Sequence, residues 1–291
     1  MYWILLSLGA AFFNSASGVF KKKSGFNKMD PYTVAWAVAF FALIILVPAA
    51  IIKGVPQINS AFWWALVISG SLNALATVLQ VKAIFESELS LVGPLQATTP
   101  LFLVFTSFFI LGEFPTILGF FGITTIMLGS YFLEYKRNGK GLLAPFKALL
   151  KNRGPRLMLL AALIWSITGA VDKIGVQNSS PIFWATLVHT FIAIILTPIM
   201  VRYGNNTGVK NLFSYEKMKT LVPMGLSIAL MSILQMTAIL LTKVAYVVSL
   251  KRTSALTDVL FGKLFFKEQN IKNRTLGAVF IVIGVILITI N

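Results

Sequence analysis

The sequence predicts an all-α integral membrane fold, ten transmembrane helices in two inverted five-helix repeats, and three observations carry that prediction. Hydrophobic residues make up 57% of the chain and charged residues 12%, whereas a soluble domain carries about 25% charged residues; mean hydropathy is +0.84. Apolar runs of roughly 17 to 25 residues, enough to cross a hydrocarbon core of about 30 Å, recur from end to end. The second half of the chain repeats the first in a steady register.

Gly, Pro and charged residues punctuate the apolar runs and predict helices near 3–20, 33–52, 62–85, 89–111, 116–135, 156–176, 181–201, 220–242, 245–266 and 274–290. In the first, Met1 to Phe20 is apolar and the basic run Lys21, Lys22, Lys23 follows it. A cleavable signal peptide has the reverse order, so this segment is expected to remain as a helix. The third and fourth helices, and the eighth and ninth, join so tightly that only charges such as Glu86, Glu88 and Lys243 mark the turns. Residues 1–137 thus form the first repeat, 138–155 a basic connection and 156–291 the second repeat. The connection holds Leu142, Leu143, Phe146, Leu149 and Leu150 with Lys147 and Lys151. That pattern fits a short amphipathic helix on anionic headgroups, and also an ordinary basic linker.

A net charge of +16 and a pI near 10.1 would suggest a nucleic-acid partner in a soluble protein. Here 20 of the 25 Lys and Arg fall in odd-numbered connections, against Lys53, Lys173 and Lys243 in the even-numbered ones. Short cytoplasmic loops retain basic residues, so the odd connections are expected in the cytoplasm and both termini outside. No nucleic-acid partner is expected. A multi-pass protein of the plasma (inner) membrane, monomeric and surrounded by lipid, is.

The chain has no Cys and one His, His189, which removes disulfides, thiolate nucleophiles, Cys-ligated metals and multi-His sites. No phosphate-cradling loop and no nucleophile with a nearby His occur in the sequence. No cofactor, no metal and no enzymatic activity are therefore expected, and ATP-driven transport by this chain alone is excluded.

At a shift of 155, Gly70 meets Gly225, Leu79, Gln80, Ala83 and Ile84 meet Leu234, Gln235, Ala238 and Ile239, and Leu95, Thr98 and Leu101 meet Leu250, Thr253 and Leu256. The same register brings Glu113 onto Glu268, Gly122 onto Gly277 and Gly129 onto Gly284. Nearer the start of each half the shift is 150 to 152, so Pro31 meets Pro181, Pro48 meets Pro198 and Lys21 meets Lys173. Five helices per half force the second half to insert upside down relative to the first. A substrate site is then expected near the midplane between the repeats, open to each side in turn.

The stretch Leu91–Glu113, LVGPLQATTPLFLVFTSFFILGE, with Gly122 and Gly129, and its partner Tyr246–Glu268, YVVSLKRTSALTDVLFGKLFFKE, with Gly277 and Gly284, resemble the drug/metabolite transporter superfamily in its EamA-type branch. The likeness implies a permease of two five-helix repeats whose fifth and tenth helices pack outside the transport core. The chain departs from the family pattern in having Ala255 opposite Pro100, where members often carry Pro in the ninth helix.

Lys251 and Arg252 are the sharpest site signal, since a charge this deep in a membrane helix costs about 2.5 to 3.5 kcal/mol even on the lenient insertion scale. On a continuous helix Lys251, Ser254, Asp258 and Gly262 share one stripe. In one reading the basic pair binds an anionic part of the substrate, Arg as a fork and Lys as a point charge. A basic pair at a comparable place binds phosphate in the related plastid phosphate-ester exchangers. In the other reading Asp258 neutralises Lys251 and Arg252 snorkels. Asn14, Ser17, Asn73, Thr77, Gln80, Gln96, Thr98, Thr99, Gln235 and Thr237 are candidate cavity residues, with Gln80 and Gln235 preferred as a repeat-matched pair; helix–helix hydrogen bonding explains any of them equally well. Asp172 with Lys173 reads as a gate and His189 as a proton site or a packing residue. Glu113 and Glu268 read as structural anchors near the surface, and the glycines as close helix contacts.

The expected function is a secondary transporter, a permease or exporter of a small anionic or zwitterionic metabolite. A flippase for a lipid-linked phosphate would use the same basic pair. A membrane enzyme or assembly factor without transport activity is the reading from another class.

Overall fold

The computed structural model describes residues 1–26, 29–87, 89–134, 143–204, 212–266 and 275–290. Among these residues every regular element is a helix. The expectations for Glu88, Leu142 and Glu268 lie outside the described residues.

The first repeat contains α1 (Tyr2–Phe26), α2 (Pro31–Lys53), α3 (Ala61–Glu86), α4 (Leu89–Gln96), α5 (Thr99–Leu111) and α6 (Ile117–Glu134). A short helix, α7 (Ala144–Lys151), occupies the connection. The second repeat contains α8 (Arg153–Gln177), α9 (Pro181–Tyr203), α10 (Tyr215–Leu241), α11 (Val244–Lys251), α12 (Ser254–Phe266) and α13 (Thr275–Thr289). Seven segments are long and apolar enough to cross a membrane, the fourth of them Leu91–Leu111 taken across α4 and α5. Ile117–Leu133 and Leu276–Thr289 are shorter apolar helices. The predicted ninth span is occupied by α11, α12 and the turn between them, which together carry Lys251, Arg252 and Asp258.

Local chemistry fixes the helix starts. Asp30 caps α2, accepting from the Thr33 amide at 2.9 Å, and Pro31 stands in the first turn. At the matching place in the second repeat Ser180 caps α9 by accepting from the Phe183 amide, again with Pro181 in the first turn. Pro has no amide hydrogen to leave orphaned there, and the cap satisfies another. α5 ends on Gly112, whose φ of +68° is a left-handed conformation that favours Gly.

The structure corrects two sequence expectations. Helices predicted to run unbroken over 89–111 and 245–266 are each interrupted, at Ala97–Thr98 and at Arg252–Thr253. These positions are repeat mates, 155 residues apart. Tight i to i−3 bonds mark both turns: Thr98 N–H to the Leu95 carbonyl at 3.2 Å and Thr253 N–H to the Leu250 carbonyl at 2.9 Å. The first break is followed by Pro100 and the second by Ala255, so proline is not what both breaks share. The first helix also runs to Phe26, which places Lys21 on a helix rather than in a loop.

Packing reproduces the repeat as a two-fold exchange. α1 packs on α10 while its mate α8 packs on α3; α2 packs on its own mate α9, and α6 on its own mate α13. Along this last contact Gly122 faces Gly284 and Gly129 faces Gly277. One number rises as the other falls, so the mated helices run antiparallel, as an inverted repeat requires. The α2–α9 contact shows the same order, Trp36 Nε1 donating to Thr197 Oγ1 at 2.9 Å and Thr186 Oγ1 to the Leu46 carbonyl at 3.1 Å.

In α7, Ala144 and Ala148 are buried while Leu150 is exposed, as is Leu143 just before the helix. Arg156 closes its C-terminal end by donating to the Leu149 and Leu150 carbonyls at 2.6 and 2.5 Å.

A Cβ added at Gly129 would stand 2.7 Å from the Gly277 carbonyl oxygen. Gly129→Leu is therefore expected to destabilise the detergent-solubilised protein by at least about 1–3 kcal/mol. An unchanged thermal unfolding midpoint would contradict the close α6–α13 contact.

Candidate functional site

A cavity of about 160 Å³ lies between the repeats, on the order of ten times the space one water requires. Its lining is organised by the repeat register. Thr77 and Ser232, Gln80 and Gln235, Gln96 and Lys251, and Val38 and Val188 are mated pairs with both members on the wall. The cavity therefore sits on the axis that exchanges the repeats. α6 and α13 contribute no lining residue among those described, in keeping with the expectation that these helices pack outside the transport core.

The break between α11 and α12 positions the basic pair. Lys251 is the last residue of α11, and its Nζ donates to Gln235 Oε1 at 2.5 Å. Arg252 occupies the turn itself, 7% exposed, and its carbonyl accepts from Ser130 Oγ at 3.3 Å. Both line the cavity, as do Asn14, Asn73, Gln80, Gln235, Asp172 and His189.

Several candidates lie off the cavity wall. Thr98 is buried and turned back on its own helix, its hydroxyl donating to the Leu95 carbonyl at 2.6 Å. Ser254 and Asp258 belong to the part of the span beyond the break, which packs on α1. Ser254 Oγ accepts from Asn14 Nδ2 at 3.3 Å, and the Ser254 carbonyl accepts from Ser15 Oγ at 2.8 Å. Asp258 is near Gly18 of α1, in the field of Arg252 and Lys21. The single polar stripe of Lys251, Ser254, Asp258 and Gly262 is thus divided by the turn at Arg252–Thr253. Ser17, also expected near the cavity, is fully buried among α1's neighbours, and its hydroxyl has no hydrogen-bond partner among the described residues.

Asp172 and Lys173 point to different places. Asp172 Oδ1 accepts from Ser69 Oγ at 2.5 Å and from Trp184 Nε1 at 3.1 Å. Behind Ser69 the chain continues: Asn73 Nδ2 donates to Ser69 Oγ at 3.0 Å, and Thr168 Oγ1 donates to Asn73 Oδ1 at 3.3 Å. Lys173 instead forms an ion pair with Glu113 and donates to the Thr242 carbonyl at 2.8 Å. Glu113 Oε2 in turn accepts from the Val244 amide at 3.2 Å. Glu113 is therefore an anchor, joining the end of α5, the body of α8 and the start of α11. His189 Nδ1 is paired with the Ala185 carbonyl at 2.8 Å and Nε2 approaches Ser232 Oγ at 3.4 Å.

Sequence reasoning missed Lys21, which lines the cavity with Trp165 and Thr168. The register that pairs Lys21 with Lys173 held the signal, because Lys173, although counted with the connection, precedes the predicted helix end near 176 and its mate should occupy the same depth. Ser69 and Trp184, which hold Asp172, carried no such signal.

A family model described as the EamA-like transporter family matches residues 1–135 and again 152–290. No curated protein matches the chain. One crystal structure superposes with a TM-score of 0.77 at 15% sequence identity, over 99% of this chain and 96% of that one; at this identity the likeness concerns the fold.

Burial of the Lys173–Glu113 pair, whose side chains are 8% and 20% exposed, gives a stability prediction. Glu113→Gln alone leaves a buried ammonium uncompensated and is expected to cost about 3–5 kcal/mol, while Glu113→Leu with Lys173→Met recovers most of that. Thermal unfolding of the three proteins checks this, and an undisturbed single variant would contradict the anchoring role.

Proposed function

Because the chain belongs to the EamA-like transporter family, we propose that it is a secondary transporter that moves a small anionic or zwitterionic metabolite by alternating access of its two repeats. The observation that carries this reading is the place of Lys251 and Arg252, on the wall of a cavity that lies on the exchange axis between the repeats. Two inverted halves around one central site can be exposed to either side by rocking against each other. Charges at that depth are costly unless they serve a solute or an internal partner, and Gln235 supplies Lys251 with an acceptor of no charge. An arriving anion would meet a point charge from Lys251 and a planar fork from Arg252.

The remaining groups take supporting roles. Gln235 aims Lys251; Gln80, Asn14 and Asn73 offer amide contacts to the polar parts of a solute. The Lys173–Glu113 pair ties the end of α5 and the start of α11 to the body of α8 and is the place where one side would be held shut. Thr98, Ser254 and Asp258 shape the two breaks and their contact with α1. His189, with both ring nitrogens engaged, serves packing. The path lies within one chain, so a monomer suffices, and no covalent chemistry is required of it.

Counterflow in proteoliposomes loaded with amino acids, carboxylates or phosphate esters tests the basic pair. The double variant Lys251→Ala, Arg252→Ala, folded by thermal unfolding, is expected to lose at least about tenfold in exchange, the equivalent of about 1.4 kcal/mol in solute binding. Equal exchange by variant and wild type would contradict the assignment.

The basic residues of the odd connections place both termini outside the plasma membrane in this reading. Since the chain has no Cys, one cysteine introduced at Thr289 is a unique label site. A membrane-impermeant maleimide is expected to modify it in intact cells, and labelling only after lysis would reverse the orientation.

A further inference from the structure

The repeat symmetry explains most of the cavity wall, and what departs from it is informative. Lys251 stands where the first repeat has Gln96, Arg252 where it has Ala97, and Asp172 where it has Phe20. Lys21 apart, whose mate Lys173 is also charged, each charge on the wall is therefore an addition at a position that is neutral in the other repeat. The additions are of both signs, and they are held by separate sets of partners.

Asp172 is the end point of a one-way hydrogen-bond chain. Thr168 donates to Asn73, Asn73 to Ser69, and Ser69 to Asp172 Oδ1. The Trp184 indole, which can only donate, reaches the same oxygen. All the hydrogen bonds described at this carboxylate fall on Oδ1, and none falls on Oδ2. The orientation of every donor favours a negative carboxylate on the cavity wall, with Oδ2 taking none of the described hydrogen bonds. Lys251, the cation in whose field Asp172 lies, is directed at Gln235, and no ion pair joins Lys251 to Asp172 among the described residues. So a negative pole is held by α3, α8 and α9, and a positive one by α10, α11 and the turn after it.

We propose that the solute carries both a protonated amine and an anionic group, the amine received by Asp172 and the anion by Lys251 and Arg252. This rests on the transporter reading above and narrows it. A carboxylate or phosphate without an amine would leave Asp172 with the neutral donors Ser69 and Trp184 and no ion-pair partner among the described residues, and an amine without an anion would face Lys21, Lys251 and Arg252 on the same wall. A solute with both groups is complementary to both poles. An ammonium suits Oδ2 because it brings three donors to an acceptor with vacant lone pairs. The anionic group is either a carboxylate, as in an amino acid, or a phosphate, as in a phosphorylated amine.

The test uses the purified full-length chain, by thermal stabilisation in detergent and by counterflow in proteoliposomes. Probes are aspartate, glutamate, serine and phosphoethanolamine, set against succinate, 2-oxoglutarate and inorganic phosphate, which lack the amine. The wild type is expected to prefer at least one amine-bearing probe over its amine-free counterpart by at least about tenfold, since a site built around a polar group rejects analogues that lack it. Whether aspartate, glutamate or serine, or instead phosphoethanolamine, is preferred identifies the anion. Asp172→Asn is expected to bring the two series to within about twofold, mainly by weakening the amine-bearing one. The wild-type comparison stands alone if that variant does not fold. Exchange of amine-free anions as effectively as amine-bearing ones, with loss in Lys251→Ala, would overturn this proposal and leave the transporter reading intact. Absence of binding and exchange for every probe would overturn both.

Discussion

Every charge set into this bundle has to be matched inside it, because hydrocarbon offers no water to do so. That constraint orders the interior. Lys173 is matched by Glu113 and the Thr242 carbonyl, and Glu113 by the Val244 amide. Asp172 is matched by Ser69 and Trp184. Lys251 finds the neutral oxygen of Gln235. The first of these pairings is a structural clamp between helix ends. The other two leave charge on the wall of a cavity, and the functional reading depends on the difference.

The helix breaks are the second element on which the site depends. They occur at the same place in both repeats, with Pro100 after one and Ala255 after the other, and both are made of i to i−3 turns. A tight turn shifts the side chains that follow it around the helix axis. That is why Lys251 faces the cavity while Ser254 and Asp258 turn toward α1. Repetition also shows how one ancestral position can be put to two uses. Lys173 closes an ion pair at the end of α5, whereas its mate Lys21 lies on the cavity wall.

Much of this was legible in the sequence. Length and hydropathy located the helices, and the 155-residue register revealed the two repeats. The spacing of Gly122, Gly129, Gly277 and Gly284 announced a close contact, and α6 and α13 make it through those four residues. The breaks were not legible, because a turn of two residues leaves an apolar run apolar and hydropathy averages over it. The stripe through Asp258 failed for the same reason, since it assumed a continuous helix. Lys21 was lost to the habit of reading a basic run as a loop. The setting of Asp172 could not be found from local pattern, as Ser69 and Trp184 are brought to it by packing of α3 and α9 against α8.

The central claim is that one cavity between inverted repeats is reached from each side of the membrane in turn. Val248 lines that cavity in a chain without Cys, so Val248→Cys reports its access uniquely. In right-side-out and in inside-out vesicles, an impermeant thiol reagent is expected to label this cysteine from both sides, with a saturating solute protecting it. Labelling from one side alone, whatever solute is present, would contradict alternating access.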